Sequence, residues 1–207
     1  GKHRQVRYGR WAARVGLVYP FHKVLREYLD SGYAFSYTTT GSHNEFLALG
    51  EELQKRHVLF DVVYAGDDEL VPRRLDAKRL ATFDTLIVPA GASFTPEDER
   101  ALSRYQAKGG RITSYLDSLD ENGVHIDLRL GGTSTSNSTV LDGLATVSGN
   151  LPETVGVTVV QGSDRTLAVH LVNYDYDREA GRFRTAGPFV ISLSLPKDAV
   201  CGEAVFE

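Results

Sequence analysis

The 207 residues contain no methionine, one cysteine and one tryptophan. A lone Cys201 excludes an internal disulfide and a multi-cysteine metal site, while leaving the redox compartment open. No apolar run reaches the about 18 residues that a membrane-spanning helix needs, so no membrane partner is expected. Basic residues at the N-terminus are not followed by an apolar stretch, so no signal peptide is read there. The missing methionine, initiator included, points to a processed or excised segment. A basic excess is lacking too: the formal net charge is −4, which speaks against nucleic acid as a partner. The one basic cluster, Lys2, His3, Arg4, Arg7 and Arg10, reads as a solvated arm. The H-E-x-x-H, G-x-x-x-x-G-K and G-x-G-x-x-G patterns are all missing, so zincin, P-loop and dinucleotide chemistry have no signature and no cofactor or metal is expected.

What is present describes a folded chain. Apolar residues make up 42% and charged residues 24%, a balance that supports a buried core and argues against disorder. The first half alternates strand and helix. "RVGLVYP", Arg14–Pro20, is a short β-branched run closed by proline, as expected of a strand covered on both faces. Ser42-His43-Asn44-Glu45 has the spacing of a capping box ahead of a helix through Phe46, Leu49 and Leu53. "VLFDVVYAG" (Val58–Gly66) predicts a second strand, Asp76–Ala81 a short helix, and "DTLIVPA" (Asp84–Ala90) a third strand.

The best-signalled helix follows Thr95. Thr95 is placed to cap, Pro96 takes the first position, Glu97, Asp98 and Glu99 suit the positive dipole end, and Arg104 and Lys108 the negative end. Gly109 stops it, and "RITSYL" (Arg111–Leu116) predicts a fourth strand. This rhythm predicts an α/β fold with a parallel sheet covered by helices on both faces. After about Asp117 the pattern changes. The tract "GGTSTSNSTV", Gly131–Val140, reads as linker. Beyond it "TVGVTVV", "RTLAVHLVNY", "GPFVISLSL" and "AVCGEAVF" predict strands of a small β-sandwich, the second of them apolar enough for burial on both faces. The division is 1–130 for the α/β domain, 131–150 for the linker and 151–207 for the β-sandwich.

Candidate site residues fall on loops. Ser93, in "GASFT", follows a buried strand, yet Phe94 and Thr95 stand where a nucleophile elbow needs its second glycine. Ser93 therefore reads as a loop serine ahead of a capped helix. His43-Asn44-Glu45 and His125-Ile126-Asp127 each have the form of a base beside a carboxylate, and both read first as structural. Tyr33, Phe35 and Tyr37 crowd the segment after the first strand, with Tyr19 and His22 at the same edge. Aromatics at the carboxyl ends of parallel strands can stack on a sugar or pack against a partner subunit.

The span from about Arg14 to Leu116, with "RVGLVY", "FDVVYAGD" and "FDTLIVPAGASFTPEDERALSRYQAKGGRI", resembles the trimerisation domain of family-42 β-galactosidases. That domain is class I glutamine amidotransferase-like, which implies a flavodoxin-like three-layer parallel sheet. "TLAVHLVNYDYD" and "PFVISLSLP" resemble the β-sandwich that follows such domains in glycoside hydrolases. Catalytic amidotransferases carry a glycine-flanked cysteine after the strand that follows the paired glycines, and a later His-x-Glu. Here that stretch reads "SYLDSLD", Ser114–Asp120, with neither cysteine nor glycine, and His125-x-Asp127 comes too soon after it. Without a nucleophile no thioester forms.

The resemblance thus implies a non-catalytic C-terminal portion of a bacterial glycoside hydrolase, a homo-oligomer whose carbohydrate substrate is met by a catalytic barrel missing from this chain. It implies a protein of the cytoplasm or a secreted one. Two other readings stand beside it: a carbohydrate-binding module using Tyr33, Phe35 and Tyr37, and a stand-alone hydrolase or amidotransferase-like enzyme using Ser93 or Ser118.

Overall fold

The computed structural model describes residues 10–31, 41–66, 70, 75–89, 91–120, 123–130, 147–162 and 167–193, with residues 10, 11, 114–120 and 123–130 described through their backbone alone. Four parallel strands form the centre: β2 (Val15–Tyr19), β3 (Phe60–Tyr64), β4 (Thr85–Pro89) and β5 (Arg111–Asp120). Their order is β3-β2-β4-β5, and β6 (Gly123–Leu130) joins β5 as an antiparallel edge. In register, Val15 lies opposite Phe60 on one side and Thr85 on the other. Every residue of β4 and the first four of β2 are buried. Helices cover both faces, which is why these strands read as continuous apolar runs instead of alternating ones.

On one face lies α2 (Gly41–Lys55), whose Leu49 and Leu53 pack on Val15, Leu17 and Ile87. On the other lie α3 (Ala77–Leu80) and α4 (Pro96–Ala107), where Leu80, Leu102 and Tyr105 join Val18, Val63, Leu86 and Val88. The start of α4 is built as its sequence predicts. Thr95 Oγ1 accepts the Asp98 amide at 3.2 Å and donates to Asp98 Oδ2 at 3.0 Å, and Gly109 leaves the helix at φ +90°. Asp76 caps α3 through the Arg79 amide at 2.9 Å.

Several expectations are corrected. Residues 21–30, for which no helix was expected, form α1 (Phe21–Asp30). Its Phe21, Val24, Leu25 and Tyr28 have helical spacing, but Pro20 precedes it with no side-chain cap, so no polar start signal exists. Ser42 lies inside the first turn of α2 and not before it. Its hydroxyl donates to Glu27 Oε1 at 2.7 Å and its amide to Glu27 Oε2 at 3.0 Å, tying α2 to α1. The fourth strand does not end at Leu116: β5 runs on to Asp120 and pairs with β6.

The chain's second half is antiparallel. β1 (Arg10–Trp11) pairs with β8 (Val155–Gln161), which pairs with β9 (Leu167–Asn173). β7 (Val147–Gly149), within the stretch read as linker, pairs with β12 (Ile191–Leu193), and β10 (Tyr176–Asp177) with β11 (Arg182–Phe183). Side chains from β7, β8, β9 and β12 meet Ala13 and Leu59 in one cluster, so this core includes residues from the α/β half. His57 closes α2 in the left-handed region at φ +54°, with its Nε2 3.2 Å from the Pro152 carbonyl oxygen. β9 is not buried on both faces: His170, Leu171 and Val172 are all exposed. The segments "GGTSTSNSTV" and "AVCGEAVF", Cys201 included, lie outside the described residues. Among the described residues no helix is long and apolar enough to cross a membrane.

Candidate functional site

The strand order places a natural crevice outside the carboxyl ends of β2 and β4, because the chain leaves β2 in one direction for β3 and returns past it to β4. Tyr19 ends β2 there, in register with Tyr64 at the end of β3. The Tyr19 ring meets Phe46 edge-on at 4.8 Å, Tyr64 at 5.4 Å and His43 at 6.0 Å between centroids. Its hydroxyl lies 3.1 Å from His43 Nδ1. Both His43 and Phe46 come from the start of α2, so their placement follows from the packing of Leu49 and Leu53 on the sheet beneath. Tyr64 is 43% exposed, which opens this aromatic edge to solvent.

The loop after β4 forms the neighbouring wall. A Cβ added to Gly91 would stand 3.6 Å from Glu45 Oε2, so the Glu45 carboxylate faces that loop. Ser93 is exposed further along, and among the described residues its hydroxyl has no hydrogen-bond partner. A serine without a base holding its proton is a poor nucleophile. His22 is half-buried in the first turn of α1, where its Nε2 accepts from Arg26 Nε at 3.1 Å, a bond within its own helix. Of the residues singled out in the sequence, Tyr19 and His43 are therefore brought together, while Ser93 and His22 are engaged elsewhere or not at all. Tyr33, Phe35 and Tyr37 lie outside the described residues.

A Tyr–His pair can pass a proton or orient a hydroxyl-bearing ligand. Tyr64 and Phe46 were not singled out in the sequence. The signal for Tyr64 was its position at the end of an apolar strand run, matching Tyr19.

The stretch Ser114–Asp120, where the sequence resemblance looks for an elbow, contains no turn from strand into helix. β5 continues as strand through Tyr115–Ser118 and is paired residue by residue with β6. The register sets Ser118 opposite His125, with Asp127 two residues further along β6. Among the described residues no group of three or more His, Cys, Asp or Glu side chains is placed to hold a metal ion. Comparisons with protein-family models, with curated proteins and with solved structures found no match to this chain.

Proposed function

We propose that the chain is the non-catalytic C-terminal portion of a glycoside hydrolase of the β-galactosidase type. In this reading a flavodoxin-like, class I glutamine amidotransferase-like region precedes a small β-sandwich. The parallel order β3-β2-β4-β5, second-first-third-fourth along the chain, supports the first part. The cluster joining β7 and β12 to β8 and β9 supports the second. The observation that carries the functional reading is the unbroken β5–β6 ladder where an elbow would hold a nucleophile. The role is then subunit association or shaping of an active-site rim, in a homo-oligomer whose carbohydrate is cut by paired carboxylates of a barrel outside this chain. Purified 207-residue chain is expected to hydrolyse no member of a broad glycoside panel and to self-associate in sedimentation velocity. Measurable turnover sinks the proposal.

A second reading, carbohydrate binding without catalysis, is favoured by a separate feature. Tyr174, Tyr176 and Phe183 are exposed together on the β half, at 58%, 48% and 60%. The rings of Tyr176 and Phe183 meet edge-on at 5.0 Å, and exposed rings of this kind suit the apolar face of a sugar. Calorimetric titration with oligosaccharides decides it: heat that disappears in Tyr176→Ala supports binding, and silence across the panel removes it.

A further inference from the structure

The end of the sheet opposite Tyr19 carries a different feature. Between α3 and α4, at the amino ends of β4 and β5, lies a cleft of about 680 Å³, within the ~300–1,000 Å³ of small-molecule sites. Its place follows from α3 being a single turn of four residues while α4 has twelve, so that among the described residues one flank of α4 has no helix beside it. The floor is apolar and aromatic: Leu75, Leu80, Phe83 and Tyr105, all buried. The Tyr105 ring lies across Gly110, where an added Cβ would stand 2.2 Å from it, so glycine is what lets the ring form the floor. Burial first, and the Asp84 charge second, pushes the Tyr105 phenol up to about 12. The floor therefore stays neutral at working pH, with the phenol donating to the Phe83 carbonyl at 3.3 Å.

The rim is unevenly charged. Arg100, Arg104 and Lys108 follow one face of α4 at i, i+4, i+8 spacing, and Arg111 opens β5 beside them. The carboxylates at the same cleft are already engaged. Asp76 caps α3, Asp84 holds Arg14 through Nε at 2.8 Å, and Glu97 is paired with Arg100. Among the described residues, Arg104, Lys108 and Arg111 have no carboxylate partner. An isolated surface cation is normally just solvated; three that line an apolar floor while Asp76, Asp84 and Glu97 beside them are engaged are a different arrangement.

We propose that this cleft binds a small organic anion, with an apolar ring on Leu80, Phe83 and Tyr105 and its carboxylate or phosphate held by Arg104, Lys108 and Arg111. The site is separate from the aromatic edge at Tyr19 and does not depend on the glycosidase reading.

The test uses the whole chain and four probes followed by calorimetry and amide chemical shifts: 1-naphthoate, 1-naphthyl phosphate, neutral 1-naphthol and inorganic phosphate. At least one naphthyl anion should bind roughly tenfold tighter than naphthol or inorganic phosphate, and should weaken as salt is raised. A tighter phosphate assigns the ligand to phosphate monoesters, and a tighter carboxylate to aryl acids. The double change Arg104→Gln with Lys108→Gln, at exposed positions that leave the core intact, should cost the anion roughly tenfold while leaving naphthol unchanged. Ala101→Leu, which narrows the cleft without touching charge, should weaken all three naphthyl probes. Naphthol binding as tightly as both anions, the charge-deleted variant binding the anions like the parent, no binding of either anion, or shifts that map away from Ala101 and Tyr105 would each overturn the proposal.

Discussion

β4 and β9 look alike in sequence, "TLIVP" against "LAVHLVN", yet every residue of β4 is buried while β9 exposes three in succession. The difference is not in the strands. β4 has α2 on one face and α3 with α4 on the other, whereas β9 lies, among the described residues, at the edge of its small sheet. Leu171, Val172, Tyr174, Tyr176, Phe183 and Val190 are accordingly exposed in the β half. An apolar run signals a strand; what lies over it decides whether the run becomes core.

The largest effect should come from testing that contrast directly. Leu17 and Leu171 are the same residue type at 0% and 41% exposure. Leu17→Ala is expected to cost about 3–4 kcal/mol in urea unfolding, and Leu171→Ala under about 1 kcal/mol; equal costs would break the comparison. Next, Gly110→Ala should destabilise by about 2 kcal/mol, because its Cβ meets the Tyr105 ring and has to displace it from the floor below α4. The same change at Gly181, where nothing lies within 4 Å, should show only the backbone cost of its φ of +63°, about 1 kcal/mol.

Smaller effects distinguish the local anchors of each half. Thr95→Ala removes the cap of α4 and should cost about 1 kcal/mol by thermal unfolding, with Thr95→Ser restoring most of it. In the β half, Asp177 is held below its ordinary carboxyl value, first by the Ala180 amide and then by Arg184 and the Glu179 amide. A depressed pKa contributes stability above the unfolded value of 3.8, and that contribution is lost as pH falls through the folded value. Chemical shifts of the β10–β11 hairpin should therefore change below pH 3.8, and the change should vanish in Asp177→Asn.

The parallel strands and α4 were legible because their signals are local: β-branched runs, a Thr-Pro start and a glycine stop. α1 was not, since Pro20 gives no polar cap and its apolar spacing alone carried the information. β6 announces itself by Val124, Ile126, Leu128 and Leu130 at period two after Asn122-Gly123, a hairpin signal hidden behind the change of pattern near Asp117. The pairing of β1 with β8 joins Arg10 and Trp11 to Gln161 and Val160, far along the chain, and no local signal could have shown it. At the candidate site, Tyr19 was legible from its place at a strand end, but its partners His43, Phe46 and Tyr64 meet it only through tertiary packing. Arg104 and Lys108 read as helix-dipole complements until α3 proved too short to cover them.

The central proposal is that Tyr115–Ser118, where the proposed amidotransferase-like reading would look for a nucleophile elbow, are ordinary strand and that neither Ser93 nor Ser118 is activated. The most direct measurement is intact mass after incubation with a serine-reactive phosphonate, followed by peptide mapping. The account predicts unmodified protein; a stoichiometric adduct at Ser93, or at Ser118 opposite His125, would contradict it.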